Sequence, residues 1–194
     1  MMLRAAFVPP EEAVEELRAI SGRVALLPGV RPSPSDRLDL PIAGLGNLSA
    51  QDTVRLGDNF EAWQGVDVLP EVYWSGIRLE PNGEVVVGIG GDLDGLAHVA
   101  RAVGKCAERV HVYVDRRAYR PVAVIATMEQ QQPGSRVASA LSGLDDWVGV
   151  SWTAVEVALL RIRWFRGEPV SEVVEWIPIP LSSGTPVVEP VETR

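Results

Sequence analysis

Cysteine is nearly missing from the sequence: Cys106 stands alone among 194 residues. A single thiol forms no internal disulfide and builds no cysteine metal site. On a helix flank it reads as an inert, half-buried group rather than a nucleophile. Histidine is almost as scarce. Only His98 and His111 occur, so any imidazole chemistry is confined to two positions. No apolar run approaches the length that crosses a bilayer, and the N-terminal stretch lacks the long apolar segment of a signal peptide. The expectation is a soluble, cytoplasmic protein with no membrane partner. Positive charge is short as well. A formal net charge of −8 weighs against a generic nucleic-acid binder, because neutralising phosphates takes local cations. A small basic groove on an acidic body stays open.

Core material is plentiful: 46% of the residues are hydrophobic, enough for one domain or two closely fused lobes. Leu3 to Val8 reads as a strand ended by Pro9-Pro10. A helix from about Pro10 to Ser21 follows, acidic at its start and stopped at Gly22. Val24 to Leu27 reads as a strand, and 28–34 as a turn-rich connector leading to a strand through Asp39 and Pro41. Ser49 and Asp52 form a capping box for a helix reaching about Gln64, with Gly57 in its middle at a cost of about 1 kcal/mol against alanine. Pro81-Asn82-Gly83 joins Val72–Glu80 and Glu84–Ile89 into a hairpin. A helix over about 93–108 buries Leu96, Ala100, Val103 and Ala107 and turns His98, Arg101 and Lys105 outward. Strands are expected at 110–114, 121–127, 152–164 and 170–179, with polar loop at 130–134 and a short helix near 136–141.

Strand, helix, strand occurs twice, ending once at Asp39 and once at Val122. This predicts two similar lobes whose strands face each other across a cleft. In each, two side chains leave one strand face: Asp39 with Pro41, and Val122 with Val124. Around the first pair stand Pro34 to Asp39 and then Leu45-Gly46-Asn47-Leu48. Before the second stands Tyr119-Arg120-Pro121, and near the end come Val155 to Arg161 and Glu175 to Ile179. In this order the segments resemble the 2H phosphoesterase superfamily, in its 2′-5′ RNA ligase and RNA cyclic phosphodiesterase branch. The resemblance implies an α+β fold: a duplicated two-lobe architecture, two antiparallel sheets flanking a central cleft, with helices packed outside. It covers most of the chain, with a single domain of two pseudo-symmetric lobes over 1–181 and a flexible C-terminal tail over 182–194.

The family carries two His-x-Thr motifs. One imidazole takes a proton and the other delivers one, while the threonine hydroxyls hold phosphate oxygens. Here the motif positions are Asp39, Pro41, Val122 and Val124, and Gly44 stands where the family has a bulky aromatic. Asp39 is a weak base unless desolvated and repels phosphate, and the other three supply neither proton transfer nor a hydroxyl. The implied protein is a divergent, non-catalytic relative, without cofactor or metal, whose cleft binds a nucleotide, an RNA end or another phosphorylated ligand. The residues to test for that binding are Arg37, Asp39, Arg120, Arg161 and Arg163.

Two other functions stay open. One is an active phosphodiesterase or ligase with rearranged residues, using Asp39 and His111, the latter sharing a strand face with Arg109 and Tyr113. The other is a protein-interaction module, with the partner unknown. Arg161, Arg163 and Arg166 with Trp164 read as a phosphate groove or as an ordinary amphipathic hairpin. Val87-Gly88-Ile89-Gly90-Gly91-Asp92 lacks the lysine of a phosphate loop and reads as a strand-to-helix turn. Asp145-Asp146 and Asp92-x-Asp94 read as solvated loops rather than cation sites.

Overall fold

In the computed structural model, residues 2–34, 37–115, 119–129, 134–166 and 168–182 are described. In chain order they form β1 (Met2–Phe7), α1 (Glu11–Val24), β2 (Val30–Pro32), β3 (Leu40–Asn47), α2 (Ala50–Glu61), β4 (Glu71–Leu79) and β5 (Glu84–Gly91). Then come α3 (Leu93–Arg109), β6 (Val122–Met128), α4 (Gly134–Leu141), β7 (Val148–Thr153), β8 (Glu156–Phe165) and β9 (Glu168–Pro178). One sheet has the order β3-β1-β8-β9 and the other β2-β6-β5-β4-β7, with every pairing antiparallel. The fold class is the expected one, α+β with two antiparallel sheets and helices outside.

The duplication is visible in the pairing. β1, α1 and β3 form one strand–helix–strand unit, and β5, α3 and β6 the other. In each, the returning strand lies antiparallel beside the first. The helices cross over: α1 leaves the first sheet and packs on β6 and β7 of the second, while α3 leaves the second and packs on β3 of the first. Leu17, Ser21 and Val24 continue the buried stripe of α1, and the Ser21 hydroxyl donates to the Ile125 carbonyl at 2.7 Å. The stripe carries α1 past Gly22, which an isolated helix would have used as its stop.

Three strand expectations are corrected. Residues 24–27 are the end of α1 and a turn, and the strand lies later, where β2 pairs with β6. The span 152–164 is two strands in different sheets: β7 beside β4, then β8 beside β1, with Ala154 and Val155 between them. Residues 110–114 are not a strand at all. They close α3, with the Val112 N–H donating to Ala107 O and the His111 N–H to Glu108 O, each at 3.0 Å. That bond pair is a Schellman ending, which places His111 in the left-handed region at φ 60.

Other expectations fit. Ser49 caps α2, its hydroxyl accepting the Asp52 N–H at 3.1 Å, and Asp92 caps α3 by accepting the Gly95 N–H at 2.8 Å. Cys106 is more buried than expected, at 1% exposure, with its thiol donating to Asn59 O. Leu181 bridges to Val66, and Ser182 bonds Val66 through its backbone and Asp67 through its hydroxyl, so the first residue of the expected tail is tied to the fold. Residues 183–194 lie outside the described residues, as does most of the expected 130–134 loop. Among the described residues no helix is long and apolar enough to cross a membrane.

Candidate functional site

Register decides which side chains face the cleft. Ala5 lies opposite Ala43 and Leu159 and belongs to the main core, so its neighbours Arg4 and Ala6 look the other way. Across from them on that face stand Gly44 with Leu160, and Pro41 with Ala158. In the second sheet Ala123, Ile125, Val85 and Val87 are core. Val122 and Val124 therefore face the cleft, paired with Gly88 and Val86. Each of the expected pairs, Asp39 with Pro41 and Val122 with Val124, lies on the cleft side. A backbone bond from the Arg120 N–H to Pro41 O, at 3.4 Å, ties the approach to the second pair directly to the first.

Asp39 is 5% exposed and held by Arg4. The two guanidinium Nη atoms each donate to one carboxylate oxygen at 2.6 Å, and Nη2 also reaches the Ser171 hydroxyl at 3.2 Å. Arg4 has room to do this because Gly44, opposite it, carries no side chain and Ala6, next on its own face, carries only a methyl. A bidentate ion pair of this kind orients the carboxylate toward the protein. At the second pair Val122 is buried and Val124 half-buried, and neither offers a proton or a hydroxyl.

The polar part of the cleft lies on the second sheet. A cavity of about 600 Å³ is lined by Ser75, Arg78, Gly88, Arg120, Val122 and Asp145, among others. Gly88 is needed there: a Cβ would stand 2.5 Å from Ser75 O and 3.2 Å from Arg78 Nη1. Arg78 donates through Nε to Glu80 at 2.9 Å, leaving its Nη groups over Gly88. Arg120 donates to Glu84 at 2.7 Å. Burial works to raise the Glu84 carboxyl, but hydrogen bonds from Arg120 and Asn82 and the charge of Arg120 outweigh it and hold the group below its ordinary value.

The remaining candidates sit elsewhere. Arg161 and Arg163 lie on the helix side of the first sheet, sharing the Glu172 carboxylate at 2.6 and 3.1 Å, so they brace the β8–β9 hairpin and do not line the cleft. Arg37 is half-buried in a turn whose N–H bonds Pro34 O, two residues before Asp39. His111 is exposed at the end of α3, and His98 is exposed on α3 with its ring 5.3 Å from that of Trp63. Neither histidine converges on Asp39. Sequence reasoning missed Arg4 and Arg78. Each is the single cation of its strand, Arg4 in an otherwise apolar one and Arg78 between Ile77 and Leu79, a signal that each needs a polar partner on one face.

The fold is the one seen in the solved LigT structures, and the chain has it over about 92% of its length. TT0787 of Thermus thermophilus superposes with a TM-score of 0.70 at 19% identity, over 92% of this chain and 98% of that one. LigT of E. coli, in crystals with ATP and with 3′-AMP, superposes with a TM-score of 0.69 at 17% identity, over 92% of this chain and 97% of that one. No family model matches the chain, and no curated protein matches it.

Proposed function

We propose that this chain is a non-catalytic protein of the 2H phosphoesterase-like fold that holds a phosphorylated ligand, a nucleotide or an RNA end, in its cleft. The observation that carries the reading is the Arg4–Asp39 pair. Where the resemblance puts the first histidine, there is a carboxylate bound through both oxygens to the protein's own guanidinium. Acid–base cleavage of a phosphodiester takes one group that accepts a proton and one that gives it. Val122 and Val124 supply neither, and the two histidines lie outside the cleft.

Binding is supported separately. The cavity on the second sheet has the size of a small-molecule site, and the free donors of Arg78 and Arg120 face it. LigT, which shares the fold, has been crystallised with ATP and with 3′-AMP. The glutamates beside both arginines offset their charge, so recognition rests on donor geometry and affinity is modest.

The test is calorimetric titration with 3′-AMP and ATP, alongside a turnover assay on 2′,3′-cyclic nucleotides. Binding without turnover is expected, weakened about tenfold by Arg78→Ala or Arg120→Ala, as for loss of one charge-assisted contact. Turnover abolished by a single cleft substitution would overturn the non-catalytic reading. Failure of both nucleotides to bind would overturn the ligand class.

A further inference from the structure

Unpaired backbone groups lie along the outer strands of a sheet, and natural proteins usually cover or blunt such edges. Three of the four outer strands here are managed. β3 is covered by the segment after α3, through bonds from the Asp115 N–H to Gly44 O and the Arg120 N–H to Pro41 O. In β7 the backbone N–H of Val150 is taken by the Glu16 carboxylate of α1 at 2.8 Å. β2 is three residues long and ends in Pro32.

β9 is different. It is eleven residues long, its one bulge at Val174 and its prolines confined to Pro169 and Pro178 near its ends, and no further strand pairs with its outer side among the described residues. Val170, Val173, Val174 and Trp176 are exposed along it, and Trp164 and Phe165 of β8 are 72% and 61% exposed beside its start. On the helix side, Glu175 of β9 reaches across α2, its carboxylate oxygen 3.1 Å from where a Cβ on Gly57 would stand. Burial first, and then the charges of Glu61 and Asp58, push the Glu175 carboxyl above its ordinary value. Among the described residues no cation pairs with Asp58, Glu61 or Glu175.

We infer that β9 is a docking edge for an extended peptide segment that alternates basic and apolar residues and adds a strand to the first sheet. Alternation puts every second side chain on one face. A bulge at Val174 shifts the alternation within β9, so Val173 and Trp176 share one face and Glu175 takes the other. Basic side chains would meet Glu175, Glu61 and Asp58 on the helix side, and apolar ones would lie against Val173 and Trp176 on the other. Backbone pairing supplies affinity and the two faces supply selectivity. Charge favours this occupant over a second copy: β9 carries glutamates and no cation, Glu172 is already shared by Arg161 and Arg163 of β8 whereas Glu175 is not, and each copy brings a net charge of −8. The inference stands on the outer edge of β9 and does not rest on which ligand the cleft holds.

The test uses the full chain and a blocked eight-residue peptide alternating valine with arginine. Two controls accompany it: the same peptide with glutamate for arginine, and the arginine peptide N-methylated at every second amide, which cannot pair along a strand. Binding is read by calorimetry and by amide hydrogen exchange over 170–177. The arginine peptide should bind and slow exchange there, and both controls should bind at least about tenfold more weakly. Glu175→Gln combined with Glu61→Gln should lower affinity about tenfold while leaving the melting temperature equal or higher, so loss of fold is separable from loss of the site. Equal binding by the N-methylated peptide would reduce the contact to charge adsorption and overturn strand addition. No binding by any peptide, or a dimer that Val173→Lys dissociates, would overturn the occupant.

Discussion

Arg4 sits in the middle of a core strand, where an unpaired guanidinium would be untenable, and Asp39 is the partner that makes it tolerable. Because Asp39 is 5% exposed and Arg4 16%, removing either leaves a largely desolvated charge behind. Arg4→Ala is expected to destabilise the protein by about 3 kcal/mol in urea unfolding. The double replacement Arg4→Leu with Asp39→Leu should recover most of that loss, since a well-packed apolar pair commonly matches a buried ion pair. A double variant as unstable as the single one would mean that contacts outside the ion pair, such as that of Arg4 to Ser171, set the cost. The pair was only half legible in the sequence. Asp39 stood out through its frame, but nothing local linked it to a residue 35 positions earlier; strand register makes that link.

At the scale of elements, the end of α3 shows where local signals mislead. Val110 to Val114 alternates like a strand, yet the carbonyls at the end of α3 are satisfied by backbone bonds from residues 111 and 112, which commits the segment to a cap. The cap puts a histidine at φ 60, a conformation in which glycine pays no steric penalty. His111→Gly is therefore expected to stabilise the protein by about 1 kcal/mol, measured by thermal melting, with ligand binding unchanged. A loss of stability would show that the imidazole contributes contacts worth more than the strain. By contrast, the β4–β5 hairpin, the cap of α2 and the buried face of α3 were legible, because turn residues, a capping pair and an apolar period each act within a few residues. The division of 152–164 between two sheets was not. It depends on which strand each half pairs with, and both halves read as the same apolar run.

For the whole molecule, acid stability follows from carboxylates pulled in opposite directions. Glu84 is held below its ordinary value, so it contributes stability above its unfolded-state value that is lost as pH falls through the folded one. Glu175 is pushed up, so it opposes folding at neutral pH, and that opposition is relieved as pH falls and the folded state takes the proton first. Glu84→Gln should lower the melting temperature at neutral pH and Glu175→Gln should raise it, with both differences shrinking toward acid pH. The α+β class and the two-lobe plan were legible from the repeated strand–helix–strand order, whereas the crossing of α1 and α3 between sheets carries no sequence mark. The place of β1 has a last consequence. Its partners are β3, close behind it, and β8, which begins only at Glu156. During synthesis the first strand must wait for most of the chain to leave the ribosome before its second side is covered. Contacts so distant in sequence slow folding, so the emerging chain exposes Leu3, Ala5 and Phe7 for the longest time and is the form most in need of a chaperone.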